Sequence, residues 1–170
     1  GYADAIVLRH PKEGAARLAS EFATVPIINA GDGAGQHPSQ TLLDLYTIRQ
    51  SMPLDNINVG LLGDLRYGRT THSLAYALSL YRVTLHAIAP EGLELPPSIL
   101  QELREHGVEV HQHARVDAVL PELDVLYVTR IQRERFPDTA SYLAVAHSYR
   151  ITPELLGNVR SNLIVLHPLP

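Results

Sequence analysis

The chain contains no cysteine at all. That absence excludes disulfides, thiolate metal sites and cysteine nucleophiles together. Nowhere do 18 apolar residues run together, and no charged-then-apolar leader opens the chain. Neither a membrane span nor a signal peptide is therefore expected, and the reading is of a soluble, cytoplasmic protein. An excess of one charge is also missing: Lys and Arg number 14 against 18 Asp and Glu, with the signs interspersed. Nothing there calls for nucleic acid or a membrane surface as partner. Several ligand motifs are absent as well. Gly60, Gly63 and Gly68 do not make GxGxxG, Gly31 to Gly35 is followed by no Gly-Lys-Ser/Thr, and no serine sits in a GxSxG elbow. No nucleotide cofactor is expected.

What is present is a core. With 170 residues, 45% of them apolar, the chain can bury one large domain or two small ones. Short apolar runs at Ala3–Leu8, Val25–Asn29, Asn58–Leu62, Val83–Ala89, Val108–His111, Val125–Val128 and Asn162–Leu166 read as strands. Helical patterns stand between them at Glu13–Phe22, Pro38–Gln50, Arg69–Leu78, Ser98–His106 and Val116–Leu120. The Pro38 helix is expected to bury Leu42, Leu43, Leu45, Tyr46 and Ile48. Thr152-Pro153-Glu154 reads as an N-cap with proline at the first position. Strands alternating with helices at this spacing predict an α/β fold with doubly wound parallel sheets. A linker near Ser51 divides it, so that residues 1–50 belong to one Rossmann-like domain, truncated, and residues 51–170 to most of a second. Both ends read as cut, the first almost directly in a strand and the last at Leu169-Pro170.

The stretch from Asn56 to Leu80 is the centre of this plan: a buried strand, a polar turn at Asp64 to Gly68, then a helix opening on Arg69. Other strands end comparably, at Arg9-His10-Pro11, at Gly31 to Thr41, at Thr129 to Gln132 and at His167 to Pro170. In open α/β sheets, ligands bind outside the carboxyl ends of the strands. Arg9, Arg69 and Arg130 would be cations there, with His37, Gln40 and Gln132 as hydrogen-bonding groups. An arginine fork pairs bidentately with carboxylate or phosphate, so the pattern suggests a substrate carrying several negative charges. His111 and His113 share a strand face, but with no third ligand nearby two solvated histidines are expected rather than a metal site. Asp32 and Asp64 are possible general bases, with turn capping as the commoner role of Asp beside glycine.

These segments together resemble the catalytic chain of aspartate carbamoyltransferase (aspartate transcarbamoylase). The matching pieces are Leu8–Pro11, Asn29–Gly33, Gln36–Asp44, Gly63–Thr70, Thr129–Gln132 and His167–Pro170, in family order. The ornithine enzyme shares the His-Pro-x-Gln element but usually has Ser-Met-Gly where this chain has Thr129-Arg130-Ile131-Gln132.

The resemblance implies carbamoyl transfer from carbamoyl phosphate to L-aspartate, in pyrimidine biosynthesis, with the active site between two domains. By motif position, Arg9, His37 and Gln40 would hold carbamoyl phosphate, with Leu169 and Pro170 helping through their backbone. Arg69, Arg130 and Gln132 would hold L-aspartate. His37 and Arg9 would stabilise the carbonyl oxygen. No cofactor or metal is implied; a homotrimer with shared active sites is, with regulatory chains or fused pathway enzymes in some members.

The family's phosphate loop and closing helices lie outside this stretch, so residues 1–170 alone are expected to be inactive. Ser141 stands where some members have an acidic residue able to pair with the positions of Arg66 and Tyr67, which leaves closure and allosteric behaviour open. A carbamoyltransferase for another amino acid, or a non-catalytic module of the same fold, are the alternatives.

Overall fold

The computed structural model describes residues 2–131, 138–146 and 149–169. Two parallel sheets organise them. The first pairs β1 (Ile6–His10) with β2 (Ile27–Asp32), joined through α1 (Ala15–Phe22). α2 (Pro38–Ser51) then leads into the second sheet. This holds β3 (Ile57–Leu62), β4 (Val83–Ile88), β5 (Glu109–His113), β6 (Val125–Val128) and β7 (Ile164–Leu166), in the order β5-β4-β3-β6-β7. From β3 the chain winds outward to β4 and β5, then returns to the other side of β3 for β6 and β7. The order reverses between β3 and β6, which defines a doubly wound sheet and puts its crossover crevice between those two strands.

Each face of that sheet carries its own apolar layer. α3 (Arg69–Leu78) and α4 (Pro97–Glu105) cover one face, where Leu74, Leu78 and Leu103 pack on Val59, Leu61 and Leu85. The other face, with Leu62, Ile88 and Leu126, is covered by Val116, Val119, Leu120 and Leu123 and by partly buried Tyr149, Ile151 and Leu155. Gly60 fits beneath this second layer because a Cβ there would run into Leu123.

Several boundaries differ from the sequence expectation. β1 includes Arg9 and His10, and β2 reaches Asp32, because Gly33 N–H donates to His10 O and extends the contact beyond the apolar residues. Val116 to Val119 forms a turn running into a 3-10 helix at Leu120–Glu122. Nearer the C-terminus, α5 spans Thr139–Ala146. Thr152 is not the cap expected: its hydroxyl accepts from Leu155 N–H, but the 3-10 helix at Leu155–Asn158 has Glu154 as its N-cap, so Pro153 precedes the helix instead of opening it.

The larger correction is α2. Leu42, Leu43 and Tyr46 are exposed, while Thr41, Asp44 and Ile48 are buried. Spacing of i, i+3 and i+7 still selects one face, but that face is chosen by polar pairing. Asp44 can be buried because both its oxygens accept hydrogen bonds, from Gln40 Nε2 at 2.9 Å and the Tyr127 hydroxyl at 2.8 Å.

The histidine pair is corrected too. Register places His86 of β4 opposite His111 of β5, with His113 two residues on. The three rings have centroids 5.3 to 6.4 Å apart, and His86 Nδ1 lies 3.1 Å from His113 Nε2. Among the described residues, no three metal-binding side chains converge as a cation site. Burial, then the neighbouring imidazoles, depress the pKa of His86, against the opposing charges of Glu122 and Glu109. Burial and His111 likewise lower His113.

A folded pKa below the unfolded one means the unfolded chain takes up the proton first on acidification. Stability therefore falls as pH drops through about 6.5 and levels off below the folded pKa. The Tm is expected to fall between pH 7.5 and 5.5, and to fall less in His86→Leu. Equal falls in the two proteins would remove this cluster as the source.

Candidate active site

The site is built where β3 and β6 end. Leu62 O accepts from Thr129 N–H at 2.8 Å, while Gly63 N–H turns the other way to Ile88 O at 3.0 Å. Gly63 has φ 124°, and a Cβ there would run into the Thr129 carbonyl. Only glycine allows so close an approach with that backbone. It brings the Asp64–Gly68 turn and the Thr129-Arg130 segment side by side. Asp64 is buried and caps its own turn, Oδ1 accepting from Tyr67 N–H at 3.0 Å.

A cleft of about 680 Å³ opens at this point, lined by Arg9, Arg69, Thr70, Arg130, His167 and Leu169 among others. All three arginines singled out in the sequence thus reach one cavity. Arg9 comes from the end of β1, so the cleft lies between the two sheets.

Arg69 opens α3 and is firmly placed. Its Nη1 donates to Gly33 O at 3.1 Å, and its guanidinium packs over Gly31, where a Cβ would meet Cζ at 3.0 Å. Gly31, with φ 111°, leaves room for the His37 ring as well. Burial and then Arg9 lower the Arg69 pKa, against the favourable charge of Asp32. The guanidinium remains charged at any working pH.

His37 is the N-cap of α2. Its Nδ1 accepts from Gln40 N–H at 3.3 Å, and Pro38 occupies the next position, where no N–H is needed. Burial, Arg69 and Arg9 all lower its pKa, which keeps the ring neutral at pH 7. With Nδ1 used as acceptor, the ring proton resides on Nε2, which becomes a neutral hydrogen-bond donor. Ser73 of α3 braces this loop: its hydroxyl accepts from His37 N–H at 2.8 Å and donates to Gln36 Oε1.

Asp32 does what turn chemistry predicts. Its carboxylate accepts from Gly14 N–H, Gln36 N–H and Asn29 Nδ2, at 2.8, 2.8 and 3.2 Å. Leu169 has φ 45°, and its N–H donates to His167 Nδ1 at 2.9 Å, which curls the chain beyond β7 into the cleft. Gln40 does not line the cleft as Arg9 does; its NH2 is turned to Asp44. Gln132 and Pro170 lie outside the described residues. Arg66, exposed, stacks over the Tyr67 ring at 5.5 Å and donates to Gly92 O.

The groups missed in the sequence are Ser73, Asp44 and Tyr127. Ser73 carries no signal, being a small residue on a helix. Asp44, within Leu42-Leu43-Asp44-Leu45, is an isolated carboxylate in an apolar run, a weak sign of a buried polar role.

A doubly wound sheet with cationic side chains at its crossover defines an α/β ligand-binding architecture suited to anions. Residues 55–170 match the family model of the aspartate/ornithine carbamoyltransferase Asp/Orn binding domain. Residues 1–50 match that of the carbamoyl-P binding domain. The chain belongs to the aspartate/ornithine carbamoyltransferase family.

Within it, the chain is 78% identical over 170 residues to the aspartate carbamoyltransferase catalytic subunit of Methanoculleus marisnigri. The match covers all of this chain and 57% of that relative, so the chain spans little more than half its length. Among solved structures, the catalytic subunit of M. jannaschii aspartate transcarbamoylase is similar with a TM-score of 0.90 and 53% identity, covering 100% of this chain and 56% of that one. The Trypanosoma cruzi aspartate transcarbamoylase in complex with N-(phosphonacetyl)-L-aspartic acid is similar with a TM-score of 0.91 at 38% identity, covering 99% and 56%.

Proposed function

We propose that this chain is the central part of an aspartate carbamoyltransferase catalytic chain, which transfers the carbamoyl group of carbamoyl phosphate to the amine of L-aspartate. The convergence of Arg9, Arg69 and Arg130 on one cleft carries the reading. Carbamoyl phosphate and aspartate together bring phosphate and carboxylate charges, and three arginines suit them. Residues 1–50 are read as part of the carbamoyl-phosphate domain and 51–170 as most of the aspartate domain. Arg9, His37 and Gln40 hold carbamoyl phosphate, with Leu169 and Pro170, while Arg69, Arg130 and Gln132 hold aspartate. The products are N-carbamoyl-L-aspartate and phosphate, an early step of pyrimidine synthesis. The enzyme is a cytoplasmic homotrimer in this reading.

The chemistry needs no protein nucleophile. The aspartate amine attacks the carbamoyl carbon, negative charge develops on the carbonyl oxygen, and the C–O bond to phosphate breaks. The Nε2–H of His37 and the guanidinium of Arg9 stabilise that oxygen as it gains charge. The arginines orient two anionic substrates in one cleft, which supplies much of the rate. The departing phosphate accepts the amine's proton.

Calorimetric titration of the complete catalytic chain with N-(phosphonacetyl)-L-aspartate tests the reading. Tight binding of this bisubstrate mimic, with weaker binding of carbamoyl phosphate alone, is expected. Binding of carbamoyl phosphate with no gain from the aspartate moiety would point to another acceptor amine.

A further inference from the structure

The most unusual polar group outside the cleft is Asp44. It is 6% exposed, on α2, among residues otherwise buried by apolar contacts. Both its oxygens are used. Oδ1 accepts from Gln40 Nε2 at 2.9 Å, one turn back on the same helix. Oδ2 accepts at 2.8 Å from the hydroxyl of Tyr127, a fully buried residue of β6 at 83 positions' remove. Two hydrogen bonds thus converge on Asp44, one from β6 through Tyr127 and one from Gln40.

The direction of these bonds has a chemical consequence. An ionised carboxylate only accepts, so Gln40 must present its NH2 to Asp44. Its Oε1 is then the side chain's remaining polar atom, and that atom is an acceptor. A glutamine left to itself presents either group with equal ease. We propose that Asp44, held by Tyr127, is a positioning residue that fixes the Gln40 amide with its oxygen toward the donor substrate, and so selects a carbamoyl group over an acyl group of the same shape. This rests on the carbamoyl-phosphate reading of the site. A carbamoyl NH2 satisfies the acceptor; the methyl of acetyl phosphate leaves it unpaired. Sites built around a substrate N–H reject the analogue lacking it for this reason.

Asp44→Asn removes the constraint, because an amide at position 44 donates or accepts and Gln40 can turn over. Tyr127→Phe removes one of the two donors that hold the carboxylate. Affinities for carbamoyl phosphate and for acetyl phosphate are measured by titration calorimetry on the complete catalytic chain, wild type and both variants, with a Tm for each. In Asp44→Asn, carbamoyl phosphate is expected to weaken about 10-fold, the size of one buried hydrogen bond. Acetyl phosphate should move by no more than about 2-fold, since it makes no use of the acceptor. Tyr127→Phe shifts the ratio in the same direction by less, and keeps the test alive if Asp44→Asn does not fold.

A merely structural role weakens both ligands together and leaves their ratio unchanged. That result, or no change in either, overturns the proposal. A wild-type chain that binds neither phosphate instead overturns the carbamoyl-phosphate reading itself, which is a distinguishable failure.

Discussion

Arg69→Ala is expected to weaken binding of N-(phosphonacetyl)-L-aspartate by about 30- to 4,000-fold, the roughly 2 to 5 kcal/mol lost when one member of a desolvated charge pair is truncated. Three features give Arg69 much to lose. It is part-buried, its Nη1 is tied to Gly33 O at 3.1 Å, and its guanidinium is fitted over the bare backbone of Gly31. It is therefore oriented before a ligand arrives, and little side-chain entropy is spent on binding. Its charge is also disfavoured where it stands, since burial and the nearby Arg9 lower its pKa. An anionic ligand relieves that repulsion, so the arginine contributes more to the complex than to the fold.

The stability of Arg69→Ala should accordingly hold or rise, while affinity collapses. Calorimetry and a melting curve on the same preparation separate the two. Arg69→Lys should recover little, because an ammonium reaches neither Gly33 O nor a carboxylate with the geometry of the guanidinium fork. A loss of affinity below about 10-fold, less than the about 2 kcal/mol at the foot of that range, would take Arg69 out of the binding site.

How much of this was legible in the sequence depends on whether the signal is local. The β3–turn–α3 unit was readable because Val59 to Leu62 is a continuous apolar run, the following turn is polar, and Leu74, Ala75 and Leu78 repeat at helical spacing. All of these apolar residues are fully buried. The strand-end arginines were readable for the same reason: a parallel fold sends every strand's carboxyl end to one side, so their convergence follows from element order. What depended on distant pairing was not readable. The helix face of α2 was misjudged because its buried side is fixed by Tyr127, which lies 83 residues away. A single sequence shows an aspartate between leucines, and periodicity then favours burying Leu42, Leu43 and Tyr46, which are exposed. The third histidine was missed likewise. His86 and His111 become neighbours only through the β4–β5 register, and register is not a property of either strand alone.

Asp32→Asn should cost about 3 kcal/mol of stability, the upper range for hydrogen bonds to a charged group. Two backbone N–H donors approach different oxygens of this carboxylate, Gly14 to Oδ2 and Gln36 to Oδ1, each at 2.8 Å. An amide has only one accepting oxygen, so its NH2 must face one of those donors, which is then left unpaired inside the fold. Burial alone would raise the Asp32 pKa, but the donors of Gln36, Asn29 and Gly14 prevail and hold it below 3.8.

A depressed carboxyl contributes stability above its unfolded pKa and loses it as pH falls through the folded one. The difference between wild type and Asp32→Asn in urea midpoint should therefore be full at pH 5 and narrow as the pH is brought toward about 3. The same substitution also separates the two roles open to this residue. As the anchor of Gln36, which immediately precedes His37, Asp32 acts on ligand binding through loop geometry. Stability and affinity for the bisubstrate mimic should then fall together. A variant that keeps both and loses only turnover would make Asp32 the general base instead, and the leaving phosphate would no longer be the acceptor of the amine's proton.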